Sequence, residues 1–98
     1  NTVLHFTGAT PLYIASQNGH LLTVKILLKI GKANPNIARL TGATPILISI
    51  KKGFFSITKE LIKYGSNINY PTLNGITPIY IASQKGNLEI LKELLKYN

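Results

Sequence analysis

The sequence predicts an all-α fold, an α-solenoid of stacked helix-turn-helix units joined by projecting loops. Three observations carry that expectation: one phrase occurs three times at a nearly fixed period, each copy opens on Thr-Pro and closes on Gly, and each is followed by a second aliphatic segment. Segments of this length are marginal as isolated helices, because helices below about 12 to 15 residues rarely persist in water. They must therefore bury their apolar sides against one another.

The three phrases are TGATPLYIASQNGH, TGATPILISIKKGF and NGITPIYIASQKGN. Gly8, Gly42 and Gly75 are separated by 42 minus 8, or 34, and by 75 minus 42, or 33. Thr10, Thr44 and Thr77 keep those offsets, as do Pro11, Pro45 and Pro78, and Gly19, Gly53 and Gly86. Threonine before proline reads as a helix start: the hydroxyl accepts a hydrogen bond from an orphan backbone N–H, and proline at the first helical position has no N–H to leave unpaired. Glycine about two turns later takes the left-handed conformation that stops the helix.

A second helix is expected after each of these glycines. Its buried stripe reads Leu21, Val24, Leu27 and Leu28 in the first unit, Phe55, Thr58, Leu61 and Ile62 in the second, and Leu88, Leu91, Leu94 and Leu95 in the third. Gly31 and Gly65 are expected to end the first two of these helices, and Asn98 the third. Polar connectors follow at 34–41 and 67–74, long enough to swing out and return as a turn. The chain thus divides as one domain over 1–98, with units at about 7–38, 41–71 and 74–98.

Composition narrows the chemistry. Of 98 residues, 45% are hydrophobic and none is cysteine, which supplies a core but excludes disulfides, thiolate metal sites and a cysteine nucleophile. This fits a reducing, intracellular compartment such as the cytoplasm. Aspartate is absent, and Glu60, Glu89 and Glu93 are the only acidic side chains, so paired-carboxylate catalysis is hard to assemble. His5 and His20 are the only histidines and have no obvious co-ligands, and the serines lack a histidine-carboxylate partnership. No enzyme, metal or cofactor is expected. Apolar runs such as Ile46 to Ile50 are far shorter than the roughly 20 residues of a membrane span. The net charge of +8 favours acidic partners of any kind.

These residues resemble the ankyrin repeat, whose period is about 33 residues and whose signature is G-x-T-P-L-H-x-A-A-x-x-G-H. The resemblance covers nearly the whole chain and extends to LLKIGKANPN and LIKYGSNIN, similar to the family's closing LL-x-x-GA-D-x-N. It implies stacked helix pairs with β-hairpin-like loops. The departures are specific. Lys32 reads as a one-residue insertion between Gly31 and Ala33 that accounts for the longer first spacing, and a local bulge is expected there. The family histidine that ties neighbouring units together is replaced by Tyr13, Leu47 and Tyr80. Ile50 stands where a small residue lets the paired helices approach, so it should splay or repack the middle unit. The chain opens inside a projecting loop and carries no polar capping unit, so a segment of a longer array is expected.

In the ankyrin family, partners bind the loop tips and the exposed side of the first helices, along a concave groove. Carried over position by position, the resemblance assigns Phe6, Thr7 and Ala9, then Leu40, Thr41 and Ala43, then Leu73, Asn74 and Ile76 as tips. It assigns Tyr13, Gln17 and Asn18, then Leu47, Lys51 and Lys52, then Tyr80, Gln84 and Lys85 as helix positions. Phe6, Leu40 and Leu73 would either line one apolar edge or fold back over the neighbouring loop. Tyr13 and Tyr80 would either meet the partner or replace the family histidine in packing between units. Lys25 and Lys29, Lys59 and Lys63, and Lys92 and Lys96 form like-charged pairs on the second helices, read chiefly as solubility and helix-dipole features.

The expected function is a monomeric protein-protein interaction module whose partner has an acidic surface. Electrostatic binding of nucleic acid or another polyanion is one alternative, motivated only by the charge. A structural spacer within a longer array is another. No membrane partner is expected.

Overall fold

The computed structural model describes residues 8–97 and, among them, six helices without strands. These are α1 (Pro11–Gln17), α2 (Leu21–Lys29), α3 (Pro45–Lys52), α4 (Phe55–Lys63), α5 (Pro78–Lys85) and α6 (Leu88–Leu95). They stack as pairs. The first helices α1, α3 and α5 form one row, α2, α4 and α6 a second, and each helix packs on its own partner and on the equivalent helix of the next unit.

The repeated phrase acts locally as its chemistry dictates. Thr10, Thr44 and Thr77 each accept at Oγ1 from the backbone N–H three residues on, at 3.1, 3.4 and 3.3 Å. Proline follows at the first helical position each time. At the far end Gly19, Gly53 and Gly86 have φ of +74°, +81° and +67°. The reversal they permit lets the N–H groups of His20, Phe54 and Asn87 donate back to the Ala15, Ser49 and Ala82 carbonyls at 3.0, 2.9 and 3.2 Å. A second helix therefore starts at once.

The core runs continuously through all three units, from Leu12, Val24 and Leu28 through Ile46, Ile50, Ile57 and Leu61 to Ala82, Ile90 and Leu94. The stripe on the second helices differs from the expected one. In α6, Ile90 and Leu94 are buried while Leu88 and Leu95 are exposed, and in α4, Ile57 is buried where Phe55 is only partly so. Each of these helices is apolar on more than one side, so leucine count alone does not fix its rotation. Ile50 is wholly buried within the shared core. In the same unit Ser49 and Thr58, both fully buried, join α3 to α4 through a 2.8 Å hydroxyl contact, and Thr58 Oγ1 also donates to the Phe54 carbonyl. Valine and leucine, Val24 and Leu91, stand at the position of Thr58 in the flanking units.

The Lys32 insertion leaves a clear trace. The left-handed residue after α2 is Lys32 itself, at φ +53°, rather than Gly31. Ala33 N–H closes the helix on the carbonyl of Leu27, six residues back, whereas after α4 Ser66 N–H reaches Leu61, only five back. Gly31 is still constrained, since a Cβ there would lie 2.9 Å from the Leu27 carbonyl oxygen. The end of the third helix pair at Asn98 lies outside the described residues, as do His5, Phe6 and Thr7.

The loops are joined across units by polar contacts. Asn36 donates from Nδ2 to the Gly65 carbonyl at 3.1 Å and accepts at Oδ1 from Asn67 N–H at 2.7 Å. Between neighbouring tips, Leu73 N–H donates to the Thr41 carbonyl at 3.2 Å. That approach needs Gly42, where a Cβ would lie 2.8 Å from Leu73 N, whereas a Cβ at Gly75 would meet nothing within 4 Å.

Two predictions follow this geometry. Both Gly42→Ala and Gly75→Ala incur the left-handed penalty of about 1 kcal/mol, but only Gly42→Ala also forces the tips apart, so its melting temperature should fall by at least twice as much. Equal losses would show that the tips do not need this close approach. Lys32→Gly should raise stability by about 0.5 kcal/mol in denaturant titration, since glycine relieves the left-handed cost at an entropic cost of its own. A loss would mean that the lysine side chain holds a stabilising contact.

Candidate functional site

Where the tips project from the first helices they enclose a cleft of about 180 Å³. Its floor is buried: Tyr13 from α1, Leu47 and Ile48 from α3, and Ile81 from α5. The second tip contributes Thr41 and Ala43, and the third Thr72, Asn74 and Ile76. Lys51, exposed in the last turn of α3, supplies the one cationic side chain of the lining. The cleft is thus an apolar slot with a threonine on each tip wall, an amide on the third tip and an ammonium at the rim.

Tip geometry follows from short backbone rings. Arg39 N–H donates to the Ala43 carbonyl and Gly42 N–H to the Arg39 carbonyl, both at 2.8 Å, while Thr72 N–H donates to the Ile76 carbonyl and Gly75 N–H to the Thr72 carbonyl, both at 2.9 Å. Thr72 Oγ1 also accepts from Ile76 N–H at 3.1 Å, which holds Ile76 toward the slot.

Of the residues expected to meet a partner, the cleft gathers Tyr13, Thr41, Ala43, Leu47, Lys51, Asn74 and Ile76. Gln17, Asn18, Leu40, Lys52, Leu73, Tyr80, Gln84 and Lys85 do not line it, although all but half-buried Gln17 are exposed. Ala9 is half-buried and also outside the lining. Phe6 and Thr7 lie outside the described residues. Burial separates the three positions of the replaced histidine: Tyr13 is 3% exposed and Leu47 7%, whereas Tyr80 is 55% exposed. The first two are packed between units and face outward only as the floor of the slot. Leu40 and Leu73 do not fold back; at 62% and 79% exposed they stand free on consecutive tips.

Sequence reasoning missed Ile48, Thr72 and Ile81, which the stacking brings into the lining, and it missed Arg39. The Arg39 guanidinium carbon sits 5.1 Å from the centre of the Tyr13 ring, a cation-π contact across the unit boundary. The available signal was that Arg39 is the sole arginine beside ten lysines, at a site where a planar cation stacks better than an ammonium.

The fold and this cleft define a helical repeat protein of the solenoid class. The family model for ankyrin repeats, in three copies, matches residues 12–98, and the chain belongs to the ankyrin repeat family. Members of this family are generally protein-protein interaction modules and typically non-catalytic. No curated protein matches the chain. Among the described residues no helix is long and apolar enough to cross a membrane, and no group of three His, Cys, Asp or Glu side chains stands together where a metal ion could be held.

The two tyrosines provide a test of this placement. Tyr13→Ala should destabilise the stack by about 3 kcal/mol, the usual cost of emptying a buried aromatic site, and Tyr80→Ala by less than about 0.5 kcal/mol. Denaturant midpoints measured side by side would check it, and similar shifts would contradict the assigned burial.

Proposed function

We propose that this chain binds a partner protein through the slot between the tips and the first helices, with Leu40 and Leu73 as an outer apolar edge. The observation that carries the reading is the convergence of an apolar floor, two tip walls and Lys51 in one cleft. A side chain inserted there is desolvated on several sides, the condition under which a single anchor residue dominates an interface. An acidic group beside that anchor would meet Lys51, with Lys52 and Lys85 exposed on the first-helix row. The net charge of +8 would add a long-range attraction that raises the encounter rate with an acidic surface. The partner chemistry is therefore a large apolar side chain flanked by Asp or Glu.

Selection from a random displayed peptide library tests this directly. Enriched sequences should pair Leu, Phe or Tyr with a neighbouring Asp or Glu. Binding of an enriched peptide should weaken about tenfold with Lys51→Glu and similarly with Leu73→Asp, while melting temperatures stay within about 1 °C. Peptides that lack acidic residues, or that bind both variants as well as the parent, would refute the reading.

A further inference from the structure

The second-helix row, away from the tips, carries a different charge arrangement. Lys25 and Lys29 on α2 and Lys59 and Lys63 on α4 are all exposed, and two adjoining clefts of about 190 Å³ each lie between these helices. Lys25 and Lys59 border one, with the Ser56 hydroxyl; Lys25, Lys29 and Lys63 border the other, with Tyr64. Lys25 is shared.

The usual reasons for such lysines do not account for the set. A cation in the last turn offsets the helix dipole, which covers Lys29 and Lys63, and Lys59 has the Phe55 ring beneath its ammonium, but neither reason applies to Lys25. Each helix instead holds two ammoniums four residues apart, a spacing that destabilises it. The third unit shows what neutralisation looks like: Lys96 Nζ lies 3.2 Å from Glu93 Oε1, the one ion pair among the described residues. α2 contains no acidic residue, and Glu60, half-buried at both clefts, comes within ion-pair distance of none of the four lysines.

We propose that the α2/α4 face binds a compact polyphosphate anion, with one phosphoryl group in each cleft and Lys25 between them. Ammoniums and hydroxyls are donors matched to phosphoryl oxygens. Their size is that of the slot between the tips, but their lining is more polar, with lysine ammoniums and the Ser56 hydroxyl in place of an apolar floor, which suits them to phosphoryl groups. Nucleic acid fits less well, because both neighbouring rings are half-buried and each has an ammonium over it, which leaves less face for a base: Lys59 Nζ lies 5.4 Å from the centre of the Phe55 ring and Lys63 Nζ 5.7 Å from that of Tyr64. Glu60 opposes the anion and limits its affinity.

Titration of inorganic tripolyphosphate into the full chain, at about 50 mM salt where screening is modest, tests the site by calorimetry and by the rise in melting temperature on binding. Lys25→Gln should weaken binding about tenfold, Lys29→Gln or Lys59→Gln about threefold, and Glu60→Gln should strengthen it about threefold. The double variant Lys51→Gln/Lys52→Gln, on the first-helix row, should bind like the parent. No detectable binding would overturn the proposal. So would equal loss in the double variant, which would mean diffuse charge only, and so would tighter binding of a single-stranded oligonucleotide or of phosphoinositide vesicles than of tripolyphosphate. Circular dichroism of each variant confirms that the stack is intact, so a loss reads as a loss of binding.

Discussion

Burial across the unit boundary is the interaction on which everything else depends. The series Ile14, Ile48 and Ile81 occupies one structural position; the last two are buried and Ile14 is exposed. Pro11, Pro45 and Pro78 follow the same rule, with only Pro11 exposed. On the opposite side of each unit the order reverses, since Ser16 and Ile50 are fully buried and Ser83 is exposed. Residue type barely changes within the first two series, so the neighbour decides burial. Helices of seven to nine residues gain little from their own hydrogen bonds, and their stability is in effect a nearest-neighbour term.

Apolar contact alone would not fix how far one unit turns relative to the next. The loops supply that constraint with directional bonds. Asn36 uses both ends of its side-chain amide on the segment that follows α4, at Gly65 and Asn67, and Leu73 N–H binds the Thr41 carbonyl between tips. These contacts satisfy backbone groups that no helix or sheet would pair. The bond from Leu73 to Thr41 also bears on the width of the slot, because it ties together the tips that form its walls.

Much of this architecture was legible because the decisive residues act locally. Threonine, proline and glycine at fixed offsets state where each first helix begins and ends, and the hydrogen bonds are found where that chemistry puts them. What was not legible depends on neighbours. The rotation of α6 hides Ile90 and exposes Leu88 and Leu95, a choice made by contact with α5 and α4 rather than by the leucine pattern. Lys32 marked an extra residue, but only the closing bond from Ala33 to Leu27 shows that the left-handed turn passes to the lysine and leaves Gly31 needed for a different reason. Among the candidate site residues, the resemblance to the ankyrin repeat implied Thr41, Ala43, Asn74 and Ile76 of the cleft walls, whereas Ile48 and Ile81 enter its floor only through stacking. Arg39 is of the same kind, since its aromatic partner lies in another unit.

The replaced histidine connects this packing to the chemistry of the cleft. A histidine at the Tyr13 or Leu47 position would tie units with hydrogen bonds and place polar nitrogen atoms beneath the slot. Tyrosine and leucine change both consequences at once. The boundary between the first two units is held instead by the Tyr13 ring, buried and stacked under Arg39, and the floor that it shares with Leu47, Ile48 and Ile81 becomes predominantly apolar. An apolar floor rewards removal of apolar surface from water, at roughly 25 cal/mol per Å² before ordering costs, and it penalises any unpaired polar group pushed into it. In the proposed complex, discrimination would come from the shape of the anchoring side chain, and direction from the single ammonium at the edge of the slot.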